Sequence, residues 1–249
     1  VEGCRLERGF QVLLTAYPEA QRWLDYDALD LRAIDNGALV FLSGKLHRLA
    51  DPTRDFFGAL PSVLSPIGSL ADKVKVLGLR QSVRGPSLDD LWAREEITTR
   101  AALTERYGFS SSMLTRFFEP FLGGILLDKI RANAVLVATE APAAAQLLTG
   151  LDAPPSRSVT CAYYAAPTPP IADPILVLDG ENGGPINNLA VMSNVAPGYA
   201  PDGQALIAAT VLGLPDAGDK LLDLRIREHG RTWFGEHVDA WMPLRTYRI

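Results

Sequence analysis

Apolar and polar positions change period twice along the chain. In the first fifty residues the apolar positions fall in short runs: Val12-Leu13-Leu14 after a break at Gly9, then residues 29–34 and 38–42 on either side of Asp35-Asn36-Gly37. Asn-Gly is a strong signal for a two-residue hairpin turn, and Ser43-Gly44-Lys45 offers a second turn of the same kind. Pro18 at a first helical position, with Glu19 behind it and Trp23-Leu24 as an apolar face, predicts a short helix over 18–24. The pattern predicts a strand and turn over 1–14, then a small antiparallel meander with one helix.

Between residues 55 and 118 the period becomes helical. Ile67, Leu70, Val74 and Leu77 recur at spacings of 3, 4 and 3, which puts one apolar stripe on a helix. Ser87 with Asp90 three residues on, after Pro86, has capping-box spacing and predicts another helix start, with Leu88, Leu91 and Trp92 as its apolar positions. A further helix ends near Tyr107-Gly108. Ser110 to Ser112 offer a new N-cap, and Met113, Leu114, Phe117 and Phe118 form an apolar surface that Pro120 is expected to interrupt.

The third regime mixes strands with helices. Residues 134–138 are a continuous apolar run suited to a strand buried on both faces, followed by an Ala-rich helix stopped at Gly150. Residues 152–170 are Pro-rich; 175–178, 190–193 and 205–212 then read as strands, the first two joined by a loop over 180–185, and 219–229 as a helix. One sheet is expected to hold strands near 38–42, 159–165, 174–179 and 205–212.

Composition narrows the function classes. Of 249 residues 47% are apolar and 21% charged, which excludes disorder, collagen and coiled coil. A net charge of −5 without long runs of either sign removes the electrostatic basis for nucleic-acid binding. The longest apolar stretch, 205–214, is about half of the ~20 residues a spanning helix needs, and no basic then apolar leader opens the chain. A cytoplasmic protein is the expectation. Cys4 and Cys161 make no disulfide framework, and His47, His229 and His237 lack metal-ligand spacing and read as surface or loop residues, so no metal site is expected.

Most chemical motifs are missing: there is no G-x-G-x-x-G, G-x-x-x-x-G-K-[ST], G-x-S-x-G or H-E-x-x-H. Asp89-Asp90 and Glu95-Glu96 suit the first turn and exposed face of helices, and Gly183-Gly184 suits a hairpin loop better than a phosphate cradle. The segment 113–127 (MLTRFFEPFLGGILL) exceeds one helical stripe in apolar density; it reads either as a buried packing helix or as the wall of an apolar ligand cavity.

The ordered series Arg8-Gly9-Phe10-Gln11-Val12-Leu13, Tyr17-Pro18-Glu19, Phe118-Glu119-Pro120-Phe121-Leu122-Gly123-Gly124-Ile125, Val135-Leu136-Val137-Ala138-Thr139, then Trp241 and Tyr247, resembles the flavin-containing amine oxidase and phytoene desaturase superfamily. Within it the likeness is to the bacterial and cyanobacterial phytoene-desaturase-like FAD-dependent oxidoreductases. The resemblance implies hydride transfer to FAD from an apolar or amine substrate. It places Arg8, Gly9, Phe10, Gln11, Ala138 and Thr139 beside the cofactor and makes Phe117, Phe118, Phe121 and Tyr164 substrate-cavity walls; no acid or base stands out. A non-catalytic apolar-ligand or protein-binding module of the same fold is the alternative.

The chain departs from that family where FAD is held. Members carry a G-x-G-x-x-G turn, a longer segment between the F-L-G-G-I helix and the A-V-L-V-A-T strand, and a closing Gly-Asp motif, and none of these is present. The expected fold is therefore α+β. A mixed, largely antiparallel sheet with helices on one side is built from a substrate domain over 1–122 and 151–240. Residues 130–150 are a remnant of a Rossmann-like FAD layer. The chain by itself is expected to bind FAD poorly, to be inactive without the missing segments, and to self-associate through an exposed apolar face that includes Val135, Val137, Leu147 and Leu148.

Overall fold

The structure, a computed structural model, describes residues 1–7, 12–50, 65–126 and 157–249. The expected strand-turn-helix over 134–150, and with it the apolar face at Val135, Val137, Leu147 and Leu148, lies outside the described residues.

Among the described residues seven strands form one sheet in the order β2-β1-β4-β5-β6-β3-β7. They are β1 (Ala38–Leu42), β2 (Lys45–Leu49), β3 (Val159–Ala166), β4 (Leu176–Asp179), β5 (Asn188–Val191), β6 (Ala205–Leu212) and β7 (Met242–Arg248). Among the described residues only β1 and β4 pair in parallel; the other pairings are antiparallel. The expected mixed, largely antiparallel sheet in an α+β fold is thus present with all four of its anticipated strands. Edge strand β7 was not anticipated, because its sequence, MPLRTYR, has no buried position and no alternation to read.

The hairpin turn sits at Ser43-Gly44, whose φ values of 52° and 73° are both left-handed, as a two-residue turn between right-twisted strands requires. Asn36-Gly37 does not turn a hairpin, and 29–34 is not a strand: Asp30 lies at φ 46° and breaks any extended run there. Gly37, at φ 132°, instead lets β1 begin against β2, since a Cβ there would stand 2.3 Å from the Leu49 carbonyl oxygen. The expected strand within 1–14 is likewise absent from the described residues, whereas the short helix forms as α1 (Pro18–Trp23).

Alternation along the strands defines two faces. One carries Leu39, Phe41, Ala162, Tyr164, Val177, Leu189, Ile207 and Ala209, sealed by Leu222, Ile226 and Trp233 of a long C-terminal helix over Asp219–Phe234. The opposite face divides in two. Val40, Leu42 and Leu178 pack under a helical layer together with Ile67, Leu103, Phe109, Met113, Leu114 and Phe118. Cys161, Tyr163, Leu206 and Ala208 pack under Cys4 and Met192, with Leu6 and Tyr199 beside them. Helices therefore cover both faces rather than one, because β1 and β4 are apolar at successive positions and leave no side for water: Val40, Val177 and Leu178 are all fully buried.

The helical layer comprises α2 (Leu70–Arg84), α3 (Leu88–Trp92), α4 (Thr99–Ala101), α5 (Ser111–Met113) and α6 (Glu119–Leu126). A wide π-helical turn over Ala102–Arg106 extends α4, and another over Leu114–Phe118 joins α5 to α6. Pro120 consequently does not end the helix: the π turn immediately before it supplies the local offset that a residue without an N–H needs. Two helices follow in the chain, the short α7 (Met192–Val195) and the long helix already described, α8 (Asp219–Phe234). Among the described residues no helix is long and apolar enough to cross a membrane.

Candidate functional site

The helical layer is fixed by one carboxylate. Asp72 is fully buried on α2, where its Oδ2 accepts from Ser69 N (2.7 Å), Ser69 Oγ (2.8 Å) and Ser110 Oγ (2.7 Å), and its Oδ1 accepts from Ser110 N (2.8 Å). Ser69 caps α2 and Ser110 caps α5, so the carboxylate ties two helix starts together. Burial by itself would raise the Asp72 pKa, but the hydrogen bonds from Ser110 and Ser69 outweigh it and hold the carboxyl well below its ordinary range. Gly68, at φ 68°, is required beside it, as a Cβ would meet the Met113 sulfur at 2.8 Å. With Asp72 inward, Val76 and Leu79 pack on the core, and the stripe expected to be buried points out: Leu70, Val74 and Leu77 are 63%, 68% and 42% exposed. Only Ile67 of that set is buried, and it precedes the helix.

This anchoring positions a row of aromatic rings. Phe109 meets Phe118 edge-on at 4.9 Å, Phe118 meets Phe117 at 5.3 Å, and Phe117 stacks on Phe121 at 5.3 Å with their planes 10° apart. Phe118 faces the core, while Phe117 and Phe121 are half-buried. Phe117 and Phe121 are four residues apart, about one helical turn, which puts them on the same side. Beyond them α6 approaches the sheet at Gly124, where a Cβ would stand 3.0 Å from Asn188 Oδ1, and Asn187 Nδ2 donates to the Pro120 carbonyl (3.1 Å). The second glycine of F-L-G-G-I is thus a close helix-to-sheet approach.

Beside the ring row the sheet face carries short, half-buried side chains, Asn188, Ala190 and Thr210. On its far side the N-terminal segment crosses the same face. Tyr163 Oη donates to the Glu7 carbonyl (2.9 Å), Tyr199 Oη to Glu7 Oε1 (3.1 Å), and Arg5 N to the Tyr199 carbonyl (2.9 Å). Arg8, Gly9, Phe10 and Gln11, and also Ala138 and Thr139, lie outside the described residues.

The structure brings Phe117, Phe118 and Phe121 together and sets Tyr164 apart from them. Tyr164 is buried on the opposite face under α8, where the Arg227 guanidinium lies 5.8 Å from its ring centre. Burial, followed by the Asp223 carboxylate, pushes its phenol pKa far above the ordinary value.

Sequence reasoning missed a polar group at the end of strand β4, inside the sheet. His229 on α8 is buried rather than at the surface or in a loop; its Nδ1 accepts from Ile186 N (3.2 Å), and its Nε2 lies 3.7 Å from Asp179 Oδ2. Asp179 in turn accepts from Glu181 N and Gly183 N, both at 3.0 Å. Gly183-Gly184 do form the loop between antiparallel β4 and β5, as expected. Gly184 seats against the imidazole, where a Cβ would be 2.4 Å from the ring. A cleft of about 200 Å³ opens beside this loop between Asn182, Asn187 and Leu212. Among the described residues no group of three His, Cys, Asp or Glu side chains could hold a metal ion.

No family model matches the chain, and no curated protein matches it. Solved structures do. An oxidoreductase from Methanosarcina mazei aligns with 88% of this chain and 69% of its own length, at 13% identity and a TM-score of 0.57. A protein assigned as a protoporphyrinogen oxidase, from Exiguobacterium sp. 255-15, aligns with 100% of this chain and 76% of its own, at 13% identity and a TM-score of 0.58. The chain shares the fold of these two proteins.

Proposed function

We propose that the chain is the substrate-side part of an FAD-dependent oxidoreductase that oxidises an apolar or amine substrate by hydride transfer to flavin. The observation that carries this reading is the fold match along nearly the whole chain to two solved proteins, one described as an oxidoreductase and the other assigned as an oxidase. The family resemblance of the sequence motifs points the same way.

In this reading the face opposite α8 is the working face. Phe117 and Phe121 form an apolar wall that excludes water and aligns a flat or elongated substrate, Phe118 braces them from the core, and the short side chains of Ala190 and Thr210 leave room on the sheet. The Arg8-Gly9-Phe10-Gln11 stretch follows Glu7, which is anchored on this same face, and is the proposed flavin-side segment; Ala138 and Thr139 are the other cofactor-side candidates. Flavin, when bound, supplies the hydride acceptor, and the protein supplies orientation and a water-poor surface. Tyr164, on the far face, is given a packing role. The 249 residues contain no glycine-rich phosphate turn, so they do not fit the dinucleotide end of FAD, and no step is routed through it.

The test is flavin absorbance of the purified intact polypeptide, followed by anaerobic bleaching with apolar amines and polyenes. A bound, bleachable flavin is expected. Phe117→Ala and Phe121→Ala should retain flavin and lower kcat/KM about tenfold or more. A polypeptide that takes up no added FAD overturns the reading, and apolar-ligand binding without flavin would favour the binding module.

A further inference from the structure

The loop over 180–187 touches three separate parts of the molecule. Ile186 N donates to His229 Nδ1 on α8, Glu181 Oε1 accepts from Ser43 N in the β1–β2 turn (2.6 Å), and Asn187 Nδ2 donates to the Pro120 carbonyl on α6. Because Nδ1 is an acceptor, the neutral ring carries its proton on Nε2, toward Asp179. A second proton can go only on Nδ1. There it would confront the Ile186 N–H at 3.2 Å, two donors with no acceptor between them, at a residue that is 5% exposed. Neither group can turn to water without the loop moving, since Gly184 lies against the ring.

We propose that the β4–β5 loop is an acid-released strap: protonation of His229 at Nδ1 expels the Ile186 N–H, and the displaced loop breaks the adjoining end of the ladder, where Asn187 N donates to the Thr210 carbonyl (2.8 Å) and Asp179 N to the Asn187 carbonyl (3.1 Å), and carries the Asn187 side chain away from Pro120, loosening α6 beneath Phe121. The charged groups facing His229 are Asp179 from β4 and Glu181 from the loop itself. Both favour the imidazolium, but burial opposes it more strongly and keeps the ring neutral below its ordinary titration range. The folded protein therefore binds this proton less readily than the unfolded chain. Release begins as pH falls below about 6.5 and is complete below the folded-state value. The strap does not depend on the flavin reading.

Hydrogen exchange of the Ile186 amide and of the α6 amides, corrected for intrinsic rates, tests it between about pH 7.5 and pH 5. Protection should fall at least about tenfold in the wild type. It should stay constant in His229→Asn, whose Oδ1 can accept from Ile186 N without titrating. Should that variant not fold, the ¹⁵N shifts of the wild-type His229 ring give the same answer: an acceptor Nδ1 at neutral pH that protonates together with the loss of Ile186 protection. Protection that is independent of pH, equal loss in His229→Asn, or a ring already protonated at Nδ1 at neutral pH overturns the proposal.

Discussion

The two faces of the sheet are closed by different physics. Under α8 the contact is mainly apolar, with His229 and Arg227 at its margins: Leu222 and Ile226 enter a floor of alternating strand residues, and each such side chain stabilises the fold by about 1.5–3 kcal/mol through the area it removes from water. The opposite layer turns its most apolar stripe outward on α2 and is held by the Asp72 carboxylate between two serine caps. Apolar packing tolerates small shifts, whereas a four-bonded buried carboxylate fixes position and direction together. The layer fixed in this way is the one that presents Phe117 and Phe121.

The largest blow to this contrast should come from Asp72→Ala, which orphans Ser69 and Ser110 at once. A loss of about 3 kcal/mol is expected from urea unfolding. Hydrogen exchange should collapse over 65–126 while α8 stays protected, and equal loss in α8 would erase the distinction. Next is Gly184→Ala, which drives a methyl into the His229 ring and should cost about 2 kcal/mol, felt on the α8 side. Acid should separate the regions without mutation. Asp72 titrates below its unfolded value of about 3.9, so its contribution is intact above that pH and is lost only as pH falls further, toward the folded-state value. The His229 strap yields at a higher pH, and a helical layer that loosens before the loop would contradict this order. The smallest effect belongs to Val74→Lys, which should change stability by less than about 0.5 kcal/mol, because Val74 is 68% exposed. A loss of several times that would mean the outward stripe is covered in the folded protein.

The same contrast explains what could be read from sequence. β6 matched its anticipated bounds because ALIAATVL is buried almost throughout, and the Ser87–Asp90 capping box formed as its spacing indicated. Ser69–Asp72 has the same spacing and could have been found in the same way; its link to Ser110, 38 residues on, could not. Periodicity located α2 but chose the wrong side, since counting apolar positions gives no weight to one buried carboxylate. The two π turns have no apolar signature at all, and the three phenylalanines are recognisable in sequence only as apolar density. His229 was misjudged because its partners, Ile186 and Asp179, come from a loop and a strand more than forty residues away.

The parallel pairing of β1 with β4 has a kinetic consequence. Ala38 and Leu176, partners across β1 and β4, are separated by 138 residues, while Ala166 and Ala205, partners across β3 and β6, are 39 apart. Closing the shorter loop costs less chain entropy and is faster, so the β3–β6 ladder is the natural nucleus. The β1–β2 hairpin adds itself to the edge of β4 last and brings the whole helical layer with it. Refolding followed by pulsed exchange would then show β6 protected early and β1 late, with the docking of one hairpin limiting the rate at which the protein becomes whole.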